Sequence, residues 1–332
     1  MSPAYFGLVM ATGIVSFSAH LLAMPRIARA LFLLNIAFYL ALWVLGLWRL
    51  ARHRREFLAD IADHARGPGF FTWVAATGVL GSQVAVLGGS PRLAWALWAI
   101  ALALWLLFTY AVFAALTVKE EKPSLERGIN GAWLLAVVAT QSIAVLSTLL
   151  AAREPAPFRL QLNFLALSMW LWGGMLYLWL MSMIFYRYTF FRLSPGDLTP
   201  PYWINMGAMA ISTLAGALLV ANAAQAPLLQ SLLPFLKGFT VFYWATGTWW
   251  IPMLLVLGVW RYVYKRHPLR YDPLYWGAVF PLGMYAAATH EMALVLELDF
   301  LGFLPPAFFW IALAAWGAAL FGLLAQALHR PP

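Results

Sequence analysis

Ten apolar stretches of about 20 residues divide this sequence, each close to the length a helix needs to cross a bilayer. They fall at 4–23, 28–50, 70–87, 93–118, 131–151, 160–186, 201–224, 235–262, 273–296 and 305–328. Only 10% of the residues are charged, where soluble domains carry about 25%, and the mean hydropathy is +0.79. Chains of this kind are integral membrane proteins. The stretches predict one all-α transmembrane domain over residues 1–332, with ten helices and no soluble domain. No basic segment precedes the first stretch, as a cleavable signal requires. Proline stands at or near several starts (Pro91, Pro201, Pro273, Pro305), where a first helical turn accepts it.

The connections sort by charge. Fifteen of the 21 Lys and Arg lie in the segments after even-numbered stretches or at the C-terminus, among them Arg49, Arg66, Lys119, Arg187, Arg261, Arg270 and Arg330. The positive-inside bias then puts both termini in the cytoplasm, and in a bacterium the membrane is the inner one. The net charge of +9 reports this orientation and does not point to nucleic acid. The 18 Trp and 13 Tyr fit a chain with many headgroup boundaries. There is no Cys, so thiolate chemistry and disulfides are excluded. The six His are scattered, with no pair at metal-ligand or haem spacing, and no phosphate-binding Gly-Lys loop is present. The expectation is no enzyme, no metal and no cofactor.

Odd and even stretches differ. FGLVMATG (6–13) lies over FTWVAATG (71–78), with Phe, Val, Ala, Thr and Gly in register. The odd stretches are richer in Gly, Ala, Ser and Thr, and the even ones are bulkier. Small residues let helix backbones approach closely, so the odd helices are expected inside and the even ones around them. Two interiors fit this pattern: a ring about a central pathway, or a solid bundle. The polar groups at membrane depth are mostly neutral. Thr12, Thr77, Thr140, Gln141, Asn205, Gly207 and Thr213 are pore-lining candidates, with Gln83, Asn130 and Ser212 nearby in type. Each has an alternative role as a helix-to-helix hydrogen bond. His290 and Glu291, with His20 on the same side, read either as a proton-coupling site or as hydrated groups at the outer mouth.

The stretch WGAVFPLGMYAAAT (276–289) carries Pro281 and Gly283 inside an apolar run. Proline removes a helical hydrogen bond, so a broken or kinked helix is expected here. Broken backbone at membrane depth is tolerated where it is buried in protein or lines a wet cavity. Phe280, just before the break, suits a hydrophobic constriction.

GFFTWVAATGVLGSQ (69–83), PYWINMGAMAISTLAG (201–216) and the 276–289 stretch resemble the tellurite-resistance/dicarboxylate transporter family. That family includes the bacterial protein TehA, yeast malate and sulfite transporters and slow-type anion channels of plant guard cells. The resemblance runs over nearly the whole chain. It implies five helical hairpins, inner odd-numbered helices around a central pore, and a homotrimer. It implies that Phe280 gates the pore, that Gly13 is a helix-bending pore glycine, and that Gly78 is its repeat counterpart. Long phosphorylated tails like those of the plant channels are not expected. The function so implied is a passive channel or transporter for small inorganic or organic anions. The alternative is a proton-coupled carrier for C4-dicarboxylate, sulfite or tellurite-like anions, with His290 and Glu291 as coupling groups.

Overall fold

The computed structural model describes residues 2–88, 90–269 and 271–329; Arg270 and Arg330 of the charge pattern lie outside them. Among the described residues every regular element is helical. Each of the ten apolar stretches forms a helix long enough to span: α1 Pro3–Leu21, α2 Pro25–Arg52, α3 Gly67–Val86, α4 Pro91–Val118, α5 Gly131–Ala151, α6 Phe158–Phe190, α7 Pro200–Gln225, α8 Leu233–Tyr264, α9 Pro273–Leu296 and α10 Asp299–Leu328. The even helices outrun their predicted stretches. The 33 residues of α6 reach about 50 Å at 1.5 Å per residue, beyond a hydrocarbon core of about 30 Å.

Burial separates the two sets. In their apolar windows the odd helices are 61–94% buried and the even ones 17–50%. Each odd helix packs on the next (α1 on α3, α3 on α5, α5 on α7, α7 on α9), and α9 returns to α1. The odd helices therefore close a five-membered ring. Every even helix lies in the groove between the two odd helices that flank it in sequence, with α10 between α9 and α1. Its outer face is apolar and exposed, as at Val44, Leu107 and Phe321.

All five odd helices open alike, with a 3-10 turn: Pro3–Phe6, Gly67–Phe70, Gly131–Leu134, Pro200–Trp203 and Pro273–Tyr275. Pro or Gly begins each one. The orphan N–H groups of such turns need acceptors. Ser2, Asn130 and Asp272 supply side-chain oxygens to Ala4, Ala132 and Leu274. The five turns touch in sequence and also close on themselves, Pro273–Tyr275 against Pro3–Phe6. They form a collar at one end of the ring.

Glycine sets the ring's tightness. A Cβ at Gly13 would lie 2.5 Å from Val79 Cγ1 on α3, one at Gly78 2.7 Å from Ser142 Oγ on α5, and one at Gly207 2.6 Å from Pro281 Cγ on α9. Gly131 faces the Pro201 carbonyl oxygen at 2.5 Å, and Gly283 faces Ile14 of α1. Each odd helix thus offers a glycine to the next. Where the neighbour is backbone it cannot swing away, so Gly131→Ala is expected to cost about 1–3 kcal/mol. Gly238, on α8, has nothing within 4 Å of the same position, and there alanine is expected to be neutral or to stabilise by up to about 1 kcal/mol. Denaturant unfolding of the two purified variants beside the parent checks this; equal stabilities would overturn the role given to Gly131.

Candidate functional site

The collar surrounds a vestibule of about 620 Å³. Every odd helix contributes to its wall: Met10 from α1, Thr72 from α3, Leu135 from α5, Ile204 from α7, and Trp276 and Phe280 from α9. A cavity reached by all five members of a ring lies on the ring's axis. Five helix N-termini open around it, each the positive end of a helix dipole. Arg66 and Asp272 are the charged residues of the wall. Asp272 already gives one oxygen to Leu274 N–H at 2.8 Å.

One to two turns deeper the axis is almost filled. A space of about 10 Å³ remains between Ile14, Phe17, Val79, Ser82, Ser142, Val145, Ile211, Leu214 and Met284, again from all five odd helices. That is the room of a single water at most. Four of the helices present an i, i+3 pair here. The two hydroxyls turn back on their own helices, Ser82 to Gly78 O at 2.9 Å and Ser142 to Ala139 O at 2.7 Å. The girdle they leave is apolar.

Phe280 is 1% exposed and lines the vestibule one turn before Met284 of the girdle. Pro281 does not break its helix: helical structure runs from Trp276 to Leu296 without interruption. The ring of Pro281 is received by Gly207 on α7, so packing holds the turn that lacks a hydrogen bond. Gly283 accepts a second bond at its carbonyl, from Ser18 of α1 at 2.8 Å. The helix through Gly13 is likewise continuous from Gly7 to Leu21. In this structure Gly13 and Gly78 serve close packing between inner helices.

Of the neutral polar candidates Asn130 lines the vestibule, where it caps a collar turn, and the others line neither axial cavity. Trp316 of α10 donates to Thr12 at 2.9 Å. Tyr39 of α2 meets Thr77 at 3.0 Å, and Trp105 of α4 donates to Thr140 at 2.9 Å. Tyr177 of α6 donates to the Asn205 carbonyl at 3.2 Å, while Asn205 Nδ2 donates to Tyr188. Trp244 of α8 donates to Thr289 at 3.0 Å. Gln141 donates to Trp170 O on α6, and Thr213 bonds back to Met209 O. A hydroxyl in hydrocarbon needs a partner, and here aromatic N–H and O–H groups of the outer helices provide it. The helix-to-helix role therefore describes Thr12, Thr77, Thr140, Gln141 and Asn205, while Thr213 bonds within its own helix. His290 and Glu291 are half-buried on α9, line neither axial cavity and, among the described residues, make no ion pair or side-chain hydrogen bond.

The girdle residues were not singled out from the sequence. Their signal was the i, i+3 spacing that recurs two and five residues after the matched threonines of α1 and α3.

The sequence model of the voltage-dependent anion channel family, SLAC1, matches residues 1–324. The chain belongs to this family. An uncharacterized transporter of Methanocaldococcus jannaschii is 24% identical over 327 residues, covering 96% of this chain and 91% of that protein. A second from the same organism is 23% identical over 322 residues, covering 94% and 91%. An uncharacterized membrane protein of Mycobacterium tuberculosis is 39% identical over 149 residues, covering 45% of this chain and 75% of that protein. The resemblance drawn from 69–83, 201–216 and 276–289 thus extends through the chain, and the protein is a membrane protein of an anion channel and transporter family.

If Thr140 is a staple to α4, Thr140→Val costs stability through the lost Trp105 bond, by about 0.6–1.7 kcal/mol, and Trp105→Phe in the same background adds little more. A double-mutant cycle on unfolding free energies measures this; additive single losses would remove the staple.

Proposed function

We propose that the protein is a passive pathway for small inorganic or organic anions, shut along its axis by Phe280 and the apolar girdle beneath it. One observation carries the reading: an axis shared by five inner helices opens to about 620 Å³ where their N-termini converge and narrows to about 10 Å³ just past Phe280. Five N-terminal ends favour an anion in the vestibule, and the girdle beneath it is lined by no cation among the described residues. Weak binding of that kind lets an ion leave again. The girdle offers no donor to replace an ion's water, so it opposes passage by dewetting as well as by size.

The membrane is the bacterial inner membrane in this proposal, with both termini and the vestibule on the cytoplasmic, basic side. The homotrimer implied by family resemblance belongs to the same proposal. Each subunit encloses its own ring, so the pathway needs no residue from a partner. A proton-coupled carrier would need a titratable group on the axis, and His290 and Glu291 stand away from both cavities. The passive reading is therefore the one adopted.

Anion flux into proteoliposomes under an imposed voltage tests it, with no proton gradient. Little flux is expected for the parent. Phe280→Ala should raise it, by about tenfold for each 1.4 kcal/mol taken off the barrier, and Phe280→Ala/Met284→Ala should raise it further. Flux in the double variant alone would move the barrier from Phe280 to the girdle. No flux in either folded variant would refute the pathway.

A further inference from the structure

Among the described residues Arg66 is the one cation in the vestibule wall, and its surroundings hold it there. It caps the collar turn Gly67–Phe70. Its N–H donates to Asp63 Oδ1 at 2.9 Å and its carbonyl accepts from Gly69 N at 2.9 Å, so the backbone is pinned. Its Nη1 donates to Asp60 Oδ1 at 2.8 Å. Asp60 is 4% exposed, and its other oxygen is taken by Arg49 Nη2. One buried carboxylate thus serves two guanidinium groups, while the Asp63 carboxylate is taken by backbone N–H groups. Arg49 is the inner of the two cations, with a side chain 11% exposed against 59% for Arg66. Arg66 is therefore the guanidinium presented to the vestibule. A guanidinium has five N–H donors, and one of them is spent on Asp60. The opposing charge of the wall, Asp272, sits at the start of the α9 turn and caps it.

We propose that Arg66 is the collecting residue of the vestibule: anchored by the buried Asp60, it raises the local concentration of small anions at the entrance to the axis. The proposal rests on reading the vestibule as the anion entrance. A charge on the wall of a concave, low-dielectric mouth concentrates counter-ions, and the effect fades with ionic strength. Asp60 acts here as a positioning residue that keeps the guanidinium at the wall instead of in bulk water.

The absence of cysteine from the chain makes a direct test available. Ala132 lines the vestibule and is half-exposed, so Ala132→Cys places a single thiol inside it. The rates at which an anionic and a cationic methanethiosulfonate reagent modify that thiol report the local potential. At low salt, Arg66→Gln is expected to lower the anionic-to-cationic rate ratio by about threefold to tenfold, the effect of one unit charge on the wall of the same wet cavity. At 1 M salt, where screening acts within about 3 Å, the difference should vanish. Arg66→Lys, which keeps the charge, should restore most of the ratio. A ratio unmoved by Arg66→Gln at low salt overturns the proposal. So does a change that persists at 1 M salt, since it would mark an altered shape and not a lost field. The readout needs no conduction. The assignment of Arg66 can thus fail while Phe280→Ala conducts, and it can hold while Phe280→Ala does not.

Discussion

The structure depends on how closely its inner helices approach. In lipid there is no hydrophobic force to press helix on helix, so association rests on packing and on hydrogen bonds between helices. Gly13, Gly78, Gly131, Gly207 and Gly283 each stand where a neighbouring odd helix comes within reach of a Cβ. Because the contacts pass from α1 through α9 and back to α1, they close a ring and leave an axis. A collar of five 3-10 turns follows from the same closure. The turns are the first residues of helices already held side by side, so the positive ends of five helix dipoles converge on one mouth.

Closure alone does not say which face of each inner helix meets the axis. The outer staples do. Thr12 is held by α10, Thr77 by α2 and Thr140 by α4. A residue two positions on is turned by about 200°, and one five positions on by about 140°, at 3.6 residues per turn. Ile14 and Phe17, Val79 and Ser82, and Ser142 and Val145 stand at those offsets, and they line the girdle. Helix α7 obeys the same geometry without a hydroxyl: Met209 packs on Gly247 of α8, and Ile211 and Leu214 face the axis. Polar groups on the outer side thus orient an apolar lining.

This explains which parts of the molecule were legible beforehand. Span number, the odd and even classes and the kinship of α1 with α3 follow from hydropathy and from small-residue content, which are properties of whole segments. The facing of individual residues does not. In water a polar side chain marks the wet side of a helix, whereas an inner helix here has an apolar axis on one side and apolar helices on the other. Thr12 and Thr140 therefore looked like lining and are staples. Pro281 looked like a break because the loss of one hydrogen bond is visible in sequence. The compensating space at Gly207, 74 positions away, belongs to the ring and becomes visible only with it.

The far end of the ring bears on how an anion would leave. Helix C-termini carry the negative end of the dipole, which would repel an anion arriving from the vestibule. Two of those ends are covered by arginine. Arg153 donates to the Ala85 carbonyl at the end of α3, and Arg159 donates to the Gln225 carbonyl at the end of α7 at 3.5 Å. These cations take carbonyls in the last turn of their helices and offset the charge that goes with them. The inner ring is thus positive at the collar and partly neutralised at the opposite mouth. In the proposed pathway the helix dipoles would favour an anion at one end, and the two arginines would soften their repulsion at the other. The resistance of that pathway would then be concentrated in the short apolar interval between Phe280 and the girdle, where a change of a few side-chain positions would have the largest effect on passage.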